Sequence, residues 1–228
     1  MHNRLSNPKK MAEFLSDHDI NVIFIDNNST YQPLLNWYED CPYKVYRLKE
    51  NLGHKCLYRS GILNDYKDQH YILTDPDLDI YDVPDDFLNF LMKGFKNVNV
   101  IKSGFSLKID DLPKNDYTKM IYDWEIKFWQ RPQDEYGFYF SELDTTFAIY
   151  DRNREWDGFM SDTPENMTSN NFFQAVRSPE PYSCRHLPWY ITPDTLSEEE
   201  VYYMKTTGTY WSSNFRNIFK DELKKYKL

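Results

Sequence analysis

Two short apolar runs in the first third of this chain stop abruptly at acids, and that pattern constrains the fold more than any other feature. Asn21-Val22-Ile23-Phe24-Ile25 ends at Asp26, and Tyr71-Ile72-Leu73-Thr74 ends at Asp75-Pro76-Asp77. Continuous apolar runs of this length suit strands buried on both faces, as in a parallel sheet. Amphipathic stretches alternate with them. Met11, Phe14 and Leu15 mark a helix over 8–19, Leu34, Leu35, Trp37 and Tyr38 one over 31–39, and Phe87, Leu88, Leu91, Met92 and Phe95 one over 85–96. Lys44–Leu48 and residues 98–107 read as further strands, and 54–64 as a helix after the Asn51-Leu52-Gly53 break. The alternation predicts an α/β chain with a mostly parallel central sheet flanked by helices. In such sheets ligands gather at the carboxyl ends of the strands, where both acidic turns fall.

The second half is less regular. Tyr117, Met120, Ile121, Trp124 and Phe128 predict one apolar face of a helix over 116–130, and 145–150 reads as a strand preceded by Glu142 and Asp144. Residues 151–183 read as a long polar loop, and 186–191 as a short apolar piece. With 228 residues and no linker or repeat, the expectation is a single domain, a half over about 1–105 and a second over about 106–228.

Charge narrows the partners. A net charge of −9 disfavours nucleic acid, whose phosphates demand a positive surface. Cys41, Cys56 and Cys184 show neither disulfide nor metal spacing, which points to a reducing, cytoplasmic setting. No apolar run is long enough to span a bilayer. The Lys-rich tail 220–227 reads either as a contact to the inner face of a membrane or as a solvated helix end. Aromatics reach 18%, fit either for a core or for surfaces that stack on sugar rings.

Asp75 and Asp77 carry the sharpest chemistry. In extended chain, residues two apart face the same side, and two carboxylates there repel unless a cation joins them. Oxygen donors suit Mg²⁺ or Mn²⁺, and a cation so held attracts a diphosphate and stabilises it as a leaving group. The competing reading is a solvated Asp-Pro-Asp turn.

Taken in order, Asn3-Arg4, V-I-F-I-D-N-N-S, E-N-L-G, a helix with Gly61, and Y-I-L-T-D-P-D resemble the GT-A glycosyltransferase fold. More narrowly, they resemble the large family of inverting transferases designated glycosyltransferase family 2. D-T-T-F-A-I-Y and R-H-L-P-W-Y are similar to segments of a bacterial and viral subgroup. The resemblance covers about residues 3–150 and implies a Rossmann-like sheet whose first strand is missing from the chain. It implies a nucleotide-sugar donor, with Asp26 and Asn27 at the nucleobase and ribose, although the family usually has Asp where Asn27 stands. It further implies donor contacts from Asn3, Arg4, Asn51, Gly53 and Arg59, with Asp75 facing ribose and metal and Asp77 gripping the metal. His186 matches a late metal ligand, against the alternative of a packed, hydrogen-bonded imidazole.

Inverting transfer needs a base to deprotonate the acceptor hydroxyl. Asp144, at the mouth of a strand, is the first candidate, with Glu142 and Glu125 behind it; Asp144 could instead cap a turn or bind acceptor hydroxyls. Arg185 and Lys205 are candidate diphosphate partners. The resulting expectation is a metal-dependent hexosyltransferase of polysaccharide biosynthesis, acting on a glycan or lipid-linked acceptor. A sugar nucleotidyltransferase and a non-catalytic carbohydrate-binding protein are the competing readings.

Overall fold

The computed structural model describes residues 1–66, 68–143, 145–154, 174–208 and 210–225, with the side chains of 210–213 left aside. The chain is mixed α/β. It divides into two compact units, residues 1–60 with 191–228, and residues 61–190.

The first unit opens with α1 (Ser6–Asp17), followed by β1 (Ile23–Asp26), α2 (Gln32–Trp37), β2 (Lys44–Arg47) and α3 (Cys56–Arg59). Helix α1 buries Pro8, Met11, Ala12 and Leu15, the spacing of one helical face. Strands β1 and β2 are parallel, Ile23 opposite Lys44 and Asp26 opposite Arg47. On the other side of β1, the backbone of Met1 bonds to Ile25 and accepts from Asn27 N at 2.8 Å. The helix expected over 54–64 is broken: Gly61 sits at φ +75, a left-handed conformation, between α3 and a 3₁₀ turn at Ile62–Tyr66.

The second unit holds β3 (Tyr71–Leu73), β4 (Leu78–Asp79), α4 (Phe87–Met92), β5 (Lys102–Gly104), β6 (Ser106–Leu107), α5 (Asp116–Trp129), β7 (Tyr139–Phe140), β8 (Ala148–Tyr150), β9 (Ala175–Arg177) and β10 (Ser183–His186). Strands run β3-β8-β5-β9-β7 in one sheet and β4-β10-β6 in another. Their directions are mixed. β5/β9 and β6/β10 are parallel, whereas β8 is antiparallel to both β3 and β5. Antiparallel neighbours need no crossover helix. The apolar run 98–107 is split between two sheets at Phe105. Strand β9 lies inside the stretch read from sequence as loop; residues 155–173 of that stretch lie outside the described residues.

The core of this unit is aromatic, with Phe87, Phe105, Phe138 and Phe147 fully buried and the Phe105 and Phe147 rings 4.7 Å apart. Gly104 is required by close approach, since a Cβ there would sit 2.2 Å from the Phe147 carbonyl oxygen. Helix α5 starts at a reciprocal cap between Asn115 and Thr118. It corrects one expectation: its buried stripe is Thr118, Ile121, Glu125 and Phe128, while Met120 and Trp124 are exposed, Trp124 to 55%. Glu125 turns inward because Arg177 of β9 waits there as its ion partner.

After these, the first unit resumes with α6 (Glu198–Thr206), α7 (Tyr210–Ile218) and α8 (Lys220–Leu223). Ser197 caps α6, accepting from Glu200 N at 3.2 Å, and Glu198, Glu199 and Glu200 place negative charge at the positive end of the helix. In the tail, Lys224 pairs with Asp221 at 2.7 Å. Among the described residues no helix is long and apolar enough to cross a membrane.

Candidate functional site

The acidic end of β3 is a turn rather than extended chain, with Pro76 and Asp77 at its apex. The strand periodicity invoked for Asp75 and Asp77 therefore does not apply. What places Asp77 is the next strand pair. β10 runs antiparallel to β4 with His186 opposite Leu78, so the last residue of β10 arrives beside the residue that precedes β4. Leu187 N donates to the Asp77 carbonyl at 2.9 Å and locks that register. As a result His186 Nε2 stands 3.6 Å from Asp77 Oδ1, with the two side chains 20% and 12% exposed. Trp189 meets the imidazole edge-on at 4.9 Å and fixes the plane of the ring.

Asp75 is held from a different direction. Thr145 Oγ1 donates to Asp75 Oδ2 at 3.1 Å, and Thr74 Oγ1 donates to the Asp75 carbonyl at 3.0 Å. Among the described residues no three His, Cys, Asp or Glu side chains gather closely enough to enclose a metal. The expected set of Asp75, Asp77 and His186 is thus an Asp77–His186 pair with Asp75 two residues away in sequence, not a closed cage. A two-donor pair of one carboxylate and one imidazole fits a cation of the Mn²⁺ or Mg²⁺ kind that fills its other positions with water and phosphate oxygens.

The remaining acids nearby are committed elsewhere. Asp79 lies 3.8 Å from Arg185, which also binds Asp82 at 2.8 Å and Asp111 at 2.7 Å. Arg185, expected as a diphosphate partner, is therefore the centre of a carboxylate cluster. Burial pushes the Asp111 carboxyl up, but hydrogen bonds from Tyr190 and Arg185 outweigh it and hold it below its ordinary value.

Of the base candidates, Asp144 lies outside the described residues. Glu142 is half-buried, with Oε2 3.6 Å from Arg131 Nη2. Glu125 is 2% exposed and paired with Arg177. Burial raises its carboxyl despite the pull of that guanidinium. Glu125 belongs to the interior of the unit rather than to an open face, so a role as base to a substrate is excluded by access.

In the first unit the predicted residues meet, and the fold uses most of them. Asn27 Nδ2 donates to Asn51 Oδ1 at 2.8 Å and to the Gly53 carbonyl at 3.0 Å, and Asn27 Oδ1 accepts from Leu52 N at 2.7 Å. Gly53 takes φ +72, with open space where a Cβ would stand, so conformation rather than room demands glycine. Arg59 Nη1 donates to the Leu52 carbonyl at 3.1 Å. Together these bonds close the 51–53 loop on the end of β1.

Asn3, fully buried at φ 51, accepts from Thr30 N at 2.7 Å and Tyr31 N at 3.0 Å and donates to Thr206 Oγ1 at 2.9 Å. Arg4 pairs with Glu200 and lies 3.9 Å over the Tyr203 ring. Asn3 and Arg4, expected as donor contacts, tie the N-terminal segment to α6 through these bonds. Asp26 is 1% exposed, and its Oδ2 accepts from Ser29 N at 3.2 Å. Tyr38 lies close by, its hydroxyl made less acidic first by burial and then by the Asp26 charge.

The sequence reading missed Thr145, Lys102 and Arg177. Thr145 adjoins a residue already singled out, and Lys102 is a cation inside an apolar strand, a pattern that signals either an edge or a buried charge. Arg177 carried no signal, because its strand is only three residues long.

No family model matches the chain, and no curated protein does. Among solved structures it is similar to the mannosyltransferase PcManGT from Pyrobaculum calidifontis, in complex with GDP-Man and Mn²⁺, at 12% identity and a TM-score of 0.48, over 100% of this chain and 79% of that one. A likeness at that distance decides nothing about function, which rests on the residues themselves.

Proposed function

We propose that the second unit binds Mn²⁺ or Mg²⁺ through Asp77 and His186 with Asp75, that the cation holds the diphosphate of a nucleotide sugar, and that the protein is a GT-A glycosyltransferase. The sugar goes to a hydroxyl of a glycan or lipid-linked acceptor, with inversion. The observation that carries this reading is the Asp77–His186 pair, 3.6 Å apart where β10 meets the turn after β3.

Several features support it. At 3.6 Å the contact is longer than a hydrogen bond, and its oxygen and nitrogen are both cation ligands. Trp189 and the Leu187 backbone restrain the two groups, so little ordering is left to be done when a ligand arrives. The cation, when bound, supplies positive charge to a departing diphosphate. Asp77 and His186 orient that charge, and Asp75 adds a carboxylate held by Thr145. Asp144 is the base in this reading. Glu142 is the less suited of the two, because its carboxylate already faces Arg131.

The exposed Trp124 ring favours one competing reading, a carbohydrate-binding protein without catalysis. A thermal-shift panel of nucleoside diphosphates and their sugars, each with and without Mn²⁺, separates the two. A transferase is expected to gain melting temperature with a nucleotide in a Mn²⁺-dependent way. If no nucleotide stabilises the protein in either condition while a glycan does, the transferase reading falls.

A further inference from the structure

The N-terminal segment holds an imidazole between two groups whose hydrogen-bonding roles are fixed. His2 Nδ1 lies 3.0 Å from the Asn27 carbonyl oxygen, and His2 Nε2 lies 3.2 Å from Asn3 Nδ2. A carbonyl only accepts, so Nδ1 carries a hydrogen. The backbone orients the Asn3 amide. Its Oδ1 accepts from Thr30 N and Tyr31 N, which leaves Nδ2 to meet His2 and Thr206. An amide nitrogen only donates, so Nε2 offers its lone pair. Both neighbours select the same form of the ring, neutral with its proton on Nδ1.

A second proton on this imidazole sets donor against donor at Asn3. Turning the amide over brings no relief, because its nitrogen would then face the backbone donors of Thr30 and Tyr31. The charged ring therefore keeps the Asn27 bond and loses the Asn3 bond. Burial opposes the charge most strongly; the Asn27 carbonyl favours it, the Met1 amine opposes it and the Asp26 carboxylate favours it, and the balance lies below the ordinary value of 6.5. The segment that carries the ring is joined to its surroundings on both sides. Asn27 N donates to the Met1 carbonyl at 2.8 Å beside the end of β1, and Asn3 reaches Thr206 of α6 at 2.9 Å. We infer that His2 is a proton-sensitive latch: neutral, it joins Asn3 to the end of β1, and protonated, it repels Asn3 and loosens the N-terminal segment from that edge. The latch belongs to the first unit alone and is independent of the cation site.

The sign follows from the lowered value. The latch's stabilisation is complete above 6.5 and is lost as pH falls below it and through the lowered value. The test uses the full chain and His2→Gln, whose side-chain oxygen accepts from Asn3 without titrating. Proton–nitrogen correlation NMR on isotope-labelled wild type, with His2 assigned through the backbone, reads the ring directly and needs no variant. At slightly alkaline pH the ring is expected to be neutral with its proton on Nδ1, and its titration midpoint to fall below 6.5. From there to mildly acidic pH the wild type is expected to lose about 2–4 °C more melting temperature than His2→Gln. Protection of the Asn27 amide from hydrogen exchange is expected to fall about 3–10-fold further in the wild type. A proton on Nε2 at slightly alkaline pH, or a midpoint at or above 6.5, overturns the latch. So does a wild type whose melting temperature or Asn27 protection falls no further than that of His2→Gln.

Discussion

The two units treat similar polar residues in opposite ways. In the first, Asn3, Asn27 and Asn51 are amides with complementary donors and acceptors, and they spend them on backbone and on one another. In the second, Asp77 and His186 are brought to 3.6 Å, a carboxylate and an imidazole that share a preference for cations. Amides close loops. A carboxylate facing an imidazole sets two cation-ligating groups side by side. The same contrast separates Arg4, anchored to Glu200, from the acids of the β3 turn.

Substitutions can break this comparison. The largest effect is expected from Asp77→Ala, which removes a side chain on which the proposed chemistry of the second unit depends. Turnover should fall by about 10²–10³-fold, the scale for losing one electrostatic element of a site, with Mn²⁺-dependent nucleotide binding lost in calorimetry. A lectin carrying this change would keep its glycan affinity.

Asn27→Ala should do the reverse. It deletes three hydrogen bonds in a buried setting, at about 2–3 kcal/mol in total, and should lower the melting temperature by about 4–10 °C. Mn²⁺ affinity, measured by paramagnetic resonance, should stay unchanged. A stable Asn27→Ala protein would end the claim that the first unit's amides are there for closure.

The legible part of the molecule follows directly from side-chain chemistry. The strand runs at 22–25 and 71–74 were readable because a continuous apolar stretch has few other uses, and β1, β2 and β3 lie where they were expected. Asn27, Asn51 and Gly53, expected beside the donor, are hydrogen-bonded to one another at the end of β1. Helix α5 was misread at Met120 and Trp124 because periodicity counts apolar residues and ignores a buried ion pair such as Glu125–Arg177. Strand β9 was missed because three residues give no period. The mixed strand direction was also hidden, since an apolar run says nothing about which way its neighbour runs.

Smaller effects sharpen the picture. Asp111→Asn, in the carboxylate cluster on Arg185, should cost at most about 1 kcal/mol at neutral pH, as befits a partly exposed ion pair. Its wild-type carboxyl is held below the ordinary value of 3.8. The stabilisation is therefore complete above that value and is lost as pH falls below it and through the lowered one. Thermal melts of the two proteins should converge in that acidic range. Trp124→Ala should be nearly silent in stability, within about 0.5 kcal/mol, and should leave Mn²⁺-dependent nucleotide binding intact. A loss of nucleotide binding there would move the site away from the β3 turn.

The most direct test of the central claim is a crystal of the full chain soaked in Mn²⁺ with a nucleoside diphosphate, read by anomalous scattering at the manganese edge. The account expects a manganese peak bonded to the Asp77 carboxylate and the His186 imidazole, with diphosphate oxygens completing its shell. Manganese bound elsewhere, or a nucleotide bound with no ion at Asp77, would contradict it.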